Sequence, residues 1–194
     1  MNRIGSAQRT TQETSLSANL ALDGGDIRLQ LGFPFFEHLL HAMAKHGRMG
    51  LQLSGKGDLE VDAHHTVEDV GIVLGQALNE ALGERRGIER MGHDYVPMDE
   101  ALVRVSVDLG GRAFVIWKGD VEGVYRPTLE LSVLQGFFWA LAGAARANIH
   151  VDVIRGQDYH HVVEAIFKAL GRALREAAKP DGTQNLPSTK GVVG

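Results

Sequence analysis

The chain has 194 residues, 44% of them hydrophobic, which is enough for one well-buried domain or for two small similar halves that share a core. A net charge of −4 without a long basic run argues against nucleic-acid binding. With no cysteine, disulfides and thiolate ligands are excluded, so any metal site must use nitrogen and oxygen. Residues 1–8 lack an apolar signal core and no apolar run could span a bilayer, so we expect a cytoplasmic protein without membrane contact.

Alternating apolar residues, turns and helical periodicity divide the first half of the chain into two hairpins and two helices. The first helix follows Pro34 and is stopped by Gly47. The predicted hairpins are residues 14–22 with 27–31 and residues 49–53 with 59–62, and the predicted helices are residues 35–47 and 64–83.

The second half is predicted to repeat this plan. It contains a hairpin, a loop, a helix, a strand and a second long helix, followed by a tail rich in Gly, Pro, Ser and Thr that should be extended. The hairpin is residues 102–109 with 113–117, the loop 119–127, the helix about 130–146, the strand 148–154, and the last helix begins at His160.

A five-residue pattern, His-His-x-x-Glu, occurs at residues 64–68 and again at 160–164. In each half it follows a helix that carries a Phe-Phe pair, so we infer an internal duplication with halves of about 1–86 and 87–180 and a tail of 181–194. The whole chain, 1–194, is treated as one catalytic unit. The expected fold class is α+β, with the helices on one face of a mainly antiparallel sheet.

On a helix, the first histidine and the glutamate of this pattern share one face, as a metal site needs. Adjacent histidines diverge by about 100° around the axis, so each pair is suited to two ions rather than one. One copy is as compatible with a solvated helix start as with a ligand set, but two copies favour metal. Imidazole and carboxylate ligands suit Mn, Fe, Zn or Ni better than Mg or Ca.

Near the end of the chain, residues 188–191 (Ser-Thr-Lys-Gly) combine small donors with a cation. With Arg90, Arg112 and Lys168 they could surround a phosphate, although surface cations are usually only solvated. Lys168 is the strongest of these candidates because it lies one turn beyond Glu164. By pattern alone, Glu13 is best interpreted as a solvated residue at a strand edge.

Taken together, these motifs closely resemble the imidazoleglycerol-phosphate dehydratase family of histidine biosynthesis. The match runs through almost the whole chain in order, and the double His-His-x-x-Glu is highly specific. The matching segments are Glu13-Thr14, Phe36-Glu37-His38, Gly57-Asp58-Leu59, residues 62–72, Pro97-Met98-Asp99-Glu100, Ile149-His150, residues 160–170 and Ser188-Thr189-Lys190-Gly191.

The resemblance implies two ferredoxin-like halves, trimers that assemble into a homo-oligomer of 24 subunits, and two Mn²⁺ ions at each active site between subunits. It also implies the single-function form of the enzyme and a small phosphate substrate, D-erythro-imidazoleglycerol phosphate, dehydrated to imidazoleacetol phosphate. Glu13 would be the acid/base. The implied metal ligands are His38, His64, His65, Glu68, His160, His161 and Glu164, and the implied phosphate-binding residues are Arg90, Arg112, Lys168, Ser188 and Lys190.

Two positions depart from the family pattern. The usual Asp before the first-helix histidine is Glu37, which keeps the carboxylate. Relatives commonly carry a histidine before the second Phe-Phe pair, whereas this chain has Gly136. Water or a borrowed side chain would then complete that metal site, and the candidates for borrowing are Glu130, His93 and His150.

Two other functions also agree with the residue pattern. A binuclear metallohydrolase would use the same metals to activate water against a phosphate ester. A metal-linked scaffold without catalytic activity would use the histidines only to join subunits.

Overall fold

A computed structural model describes residues 3–121 and 129–193, in which the chain forms eight strands and four helices. Residues 122–127 of the predicted loop lie outside the described residues. The elements are β1 Ile4–Thr10, β2 Thr14–Ala21, β3 Ile27–Gln30, α1 Pro34–Gly47, β4 Gly50–Gly57, α2 His64–Leu82, β5 Met91–Met98, β6 Ala101–Asp108, β7 Phe114–Lys118, α3 Leu131–Ala145, β8 Asn148–Arg155 and α4 Tyr159–Ala177.

The strands form two four-stranded sheets of identical topology, with orders β1-β2-β4-β3 and β5-β6-β8-β7. In each sheet the first two junctions are antiparallel and the last is parallel. Each half therefore runs β-β-β-α-β-α. The predicted α+β class and the duplication of two ferredoxin-like halves are confirmed, with the strands divided between two sheets.

Strand pairing was the part of the fold that the sequence predicted wrongly. β3 pairs in parallel with β4 rather than with β2, and β7 pairs in parallel with β8 rather than with β6. Residues 59–62 form a turn at the end of β4, not a strand. In both halves one helix lies between the parallel partners along the chain, and the strand that follows this helix takes the place in the sheet that the prediction gave to a hairpin partner. A local turn signal cannot reveal such a long-range pairing.

The hairpins that do form are β1–β2 and β5–β6, and their first strands were not predicted. Both strands carry a glycine where a helix backbone crosses closely. A Cβ on Gly5 would lie 2.0 Å from the carbonyl oxygen of Ala77, and a Cβ on Gly92 would lie 2.3 Å from that of Ala173. The missing side chains weaken the alternating apolar signal that identifies a strand.

The helices lie between the two sheets and pack across the halves, α1 along α4 and α2 along α3. At the centre, Phe36, Phe137, Phe138 and Phe167 are fully buried, and the rings of Phe36 and Phe137 meet edge to face at 5.5 Å. The two Phe-Phe pairs therefore join the halves. None of the described helices is both long and apolar enough to cross a membrane.

Candidate metal centre and active site

Three of the predicted ligands from different halves meet at one point. The Nε2 atoms of His38 on α1 and of His160 on α4 each lie 3.0 Å from Oε2 of Glu164. In the part of the chain that the structure describes, this is the one group of three or more such side chains whose ligand atoms all lie within 4.8 Å of one another. Two imidazoles and a carboxylate are a donor set that fits a divalent transition metal.

The local sequence fixes the helices that bring these donors together. Asp158 caps α4, its carboxylate accepting hydrogen bonds from the amides of His160 and His161. Glu37 accepts from the amides of Leu31 and Gly32 at 2.6 and 2.9 Å, which anchors the start of α1. The carboxylate beside His38 therefore orients the helix.

Glu164 is held as an anion by its neighbours. Burial raises the pKa of its carboxyl, but Lys168 and His38 outweigh that effect and lower it to about 2. The Nζ of Lys168 lies 2.8 Å from Oε1 of Glu164, one helical turn away. Lys168, predicted to bind phosphate, therefore lies beside the candidate metal ligands His38, His160 and Glu164.

The first His-His-x-x-Glu motif is arranged less completely. Nε2 of His64 lies 3.6 Å from Oε2 of Glu68, and both side chains are about half exposed. No third side chain of the described residues joins them in a group of ligand type. The two copies of the motif are thus unequal in their surroundings.

The second histidine of the first motif points away from its neighbour, as the divergence on the helix predicts. Nδ1 of His65 lies 2.9 Å from Asp58, and Nε2 lies 3.7 Å from Oε1 of Glu13. The hydrogen bond with Asp58 raises the pKa of His65. Glu13, the predicted acid/base, therefore lies beside a predicted metal ligand.

The second histidine of the other motif is held in a similar way. Nδ1 of His161 lies 2.8 Å from Glu100, and this hydrogen bond raises the pKa of the imidazole. The amide of Asp158, His161 and the amide of Gln157 lower the pKa of Glu100 to about 2. Asp58 and Glu100 were not among the predicted site residues, and their one signal was a polar turn within a matching motif.

Four of the five predicted phosphate ligands meet elsewhere, around a cleft of about 150 Å³. Arg90 already uses part of its hydrogen-bonding capacity within the protein, since its guanidinium donates to both carboxylate oxygens of Asp108 and to the carbonyl of Pro187. The latter bond ties the C-terminal tail to the cleft. The predicted residues lining it are Arg90, Arg112, Ser188 and Lys190.

The side chains suggested as substitutes at Gly136 lie in other surroundings. His93 and His150 line a cleft on the outer face of the second sheet, opposite the helices. Glu130, just before α3, accepts a hydrogen bond from Ser132 at 3.2 Å.

Known proteins are similar to this chain over most or all of its length. The family model described as imidazoleglycerol-phosphate dehydratase matches residues 31–174. Similar curated proteins with that name come from Lacticaseibacillus casei, 46% identical over 98% of this chain and 100% of the relative, and from Alkalilimnicola ehrlichii, 48% identical over 100% of both.

Two solved structures with this fold are similar as well. The crystal structure of the enzyme from Pyrococcus furiosus has a TM-score of 0.86 at 36% identity, covering 96% of this chain and 99% of its own. That from Staphylococcus aureus has a TM-score of 0.81 at 35% identity, covering 91% of this chain and 99% of its own.

Proposed function

The chain belongs to the imidazoleglycerol-phosphate dehydratase family of hydro-lyases, and we propose from this premise that it dehydrates D-erythro-imidazoleglycerol phosphate to imidazoleacetol phosphate in histidine biosynthesis. The observation that carries the proposal is the meeting of His38, His160 and Glu164 in a chain whose relatives match it from end to end. A metal cluster of this kind suits a substrate that offers an imidazole and a poor leaving group.

We propose that Mn²⁺ is the ion and that each active site uses two. The residues that would hold them are His38, His160 and Glu164 at one position and His64 and Glu68 at the other. A bound ion supplies Lewis acidity toward the substrate's ring and hydroxyl. Lys168, in contact with Glu164, keeps that carboxylate ionised and ready to bind a cation.

The substrate's phosphate is proposed to bind in the cleft lined by Arg90, Arg112, Ser188 and Lys190. Arg112 and Lys190 are exposed, and within the described residues neither forms an ion pair. Their charge is available to a phosphate, whereas Arg90 also holds the tail in place. Anchoring this end of the substrate orients the reacting carbons.

We propose that Glu13 removes the proton from the carbon next to the one that loses hydroxide. Its side chain is half exposed and lies near His65, which brings a base to the rim of a metal position. Loss of hydroxide followed by removal of this proton leaves an enol, which tautomerises to the ketone of the product.

His65 and His161 diverge from the ligands of their own motifs and contact carboxylates. We propose that they serve metal ions of neighbouring subunits, in trimers that assemble into a 24-mer. Removing the metal should then dissociate the large assembly.

The experiment uses the purified protein with Mn²⁺ and imidazoleglycerol phosphate, and measures keto product and free phosphate in parallel. We expect keto product without phosphate release, two ions per chain by elemental analysis, and loss of both activity and assembly mass after chelation. Release of phosphate as the main product would instead support a metallohydrolase. A chelated protein that stays assembled and active would contradict the proposal.

A further inference from the structure

The two halves place their helix pairs around the motifs in the same way. α1 and α3 both end in a left-handed residue, Arg48 with φ 54° and Arg146 with φ 53°. His38 precedes Arg48 by the same number of residues as Gly136 precedes Arg146. Gly136 therefore occupies on α3 the place that His38 occupies on α1.

The contacts between the helices support this equivalence. A Cβ on Gly171 of α4 would lie 2.1 Å from the carbonyl oxygen of Met43 on α1, and a Cβ on Gly75 of α2 would lie 2.6 Å from that of Leu141 on α3. Met43 and Leu141 are also equally far from the ends of their helices, and Gly75 and Gly171 are equally far from the histidines of their motifs. The two helix pairs thus cross at the same points, so a side chain at position 136 would face the first motif as His38 faces the second.

The consequence is visible at the carboxylates. Glu164 is only 10% exposed and contacts two imidazoles and Lys168, whereas Glu68 is 49% exposed and has His64 at 3.6 Å. The residue that corresponds to Lys168 is Ile72. The first motif therefore lacks both the third donor and the cation that fixes its carboxylate.

Gly136 leaves room for a further ligand. A Cβ built there meets no atom within 4 Å, although the residue is half-buried. The pair of His64 and Glu68 therefore offers an incomplete set of ligands for a metal ion, and each missing ligand must be replaced by solvent or by another molecule.

We propose that the two metal positions of this chain are unequal. The cluster of His38, His160 and Glu164 binds a divalent transition metal ion tightly, and the pair of His64 and Glu68 binds a second ion weakly, with an exchangeable ligand at the space beside Gly136. This inference rests on the metal use set out under the proposed function.

The test is an equilibrium titration of the metal-free, full-length protein with Mn²⁺, without substrate, counting bound ions per chain. We expect two classes whose Kd values differ by at least about tenfold, because even loss of a second-shell partner costs about 10–100-fold in metal affinity. Gly136→His should tighten the weak class by a similar factor. The matched control Gly136→Ala also improves helix propensity but adds no ligand, so it should leave both classes unchanged.

A second variant, His38→Gly, should convert the tight class into a weak one and leave the other unaltered. Helical content measured by circular dichroism identifies variants that fold. Equal classes in the unmodified protein, or tightening by Gly136→Ala, would overturn the inference, as would a folded Gly136→His protein that binds as before. Failure of the proposed function is separate, since unequal classes in a protein that makes no keto product would contradict the dehydratase alone.

Discussion

The turns before β2 and β6 occupy the same place in the two halves, but their carboxylates make different contacts. Glu13 is half exposed, and its nearest basic partner is His65 at 3.7 Å. Glu100 accepts hydrogen bonds from the amides of residues 157 and 158 and contacts His161 at 2.8 Å. The duplication kept a carboxylate directly before β2 and before β6, but Glu13 remains half exposed, whereas Glu100 is held against His161 and two backbone amides.

The sharpest test of this difference is Glu13→Gln. If Glu13 is the general base, turnover should fall by about 10²–10⁴-fold, the usual contribution of a positioned base. Metal content and unfolding temperature should stay as they are, because the structure gives this side chain no buried partner. Steady-state kinetics with elemental analysis would measure both quantities, and unchanged turnover would exclude the assigned role.

The counterpart Glu100→Gln should act through His161. Gln keeps an oxygen that can accept from the two backbone amides, but it places an NH2 group where Oε2 contacts Nδ1 of His161, so the imidazole loses its acceptor. We therefore expect a decrease of about 10–100-fold in metal affinity or activity, as for other side chains that orient metal ligands. Excess Mn²⁺ should restore part of the activity of this variant but none of that of Glu13→Gln. Equal responses of the two variants to Mn²⁺ would contradict the different roles assigned to Glu13 and Glu100.

Arg3 and Arg90 form a second comparison, since each directly precedes the first strand of its half. Arg90→Ala removes one cation from the cleft proposed for the phosphate, and one charge-assisted hydrogen bond to the substrate is worth about 1.5–3 kcal/mol, so KM should rise by roughly 10–100-fold. Arg3 pairs with Asp23 away from the phosphate cleft. Arg3→Ala should therefore leave KM unchanged, and a rise in KM there would argue against the assigned cleft.

Variants of the glycines at the helix contacts compare how much each helix pair contributes to the free energy of unfolding. Gly171→Ala brings a Cβ against backbone at 2.1 Å and Gly75→Ala at 2.6 Å, so overpacking should cost about 1–3 kcal/mol, more at Gly171. In the same helical setting Gly143→Ala meets nothing within 4 Å and should instead stabilise by up to about 1 kcal/mol. Urea unfolding of the three variants would measure the order, and destabilisation at Gly143 as well would show that packing is not the cause.

The helices could be predicted because their apolar periodicity and stop signals are local. β1 and β5 could not, since Gly5 and Gly92 lie where helices approach and the pattern loses its apolar side chains there. The candidate metal centre of His38, His160 and Glu164 could not be predicted from periodicity alone, for another reason. His38 and Glu164 are separated by 126 positions and meet because α1 packs along α4. His38 was therefore predicted from the resemblance to a family, whereas the spacing of the motif already indicated His160 and Glu164.

The smallest expected effect concerns Asp23, the carboxylate that pairs with Arg3. The hydrogen bond from Arg3 lowers the pKa of Asp23 below its ordinary value of 3.8, so the unfolded chain binds this proton more readily than the folded one. The stability that Asp23 contributes is therefore fully present above pH 3.8 and is lost as the pH falls through its folded pKa. Because the side chain is 41% exposed, we expect Asp23→Asn to cost less than about 1 kcal/mol at neutral pH.

Chemical unfolding of Asp23→Asn and of the unmodified protein from pH 7 to pH 3 would measure this contribution. The difference in unfolding free energy should be constant at neutral pH and shrink in the acid range, where both proteins carry an uncharged side chain at this position. Arg3→Ala provides the control, because without its partner Asp23 should titrate near its ordinary pKa and the acid dependence should flatten. A difference that grows on acidification would contradict the ion pair, since only a raised folded pKa would give that sign.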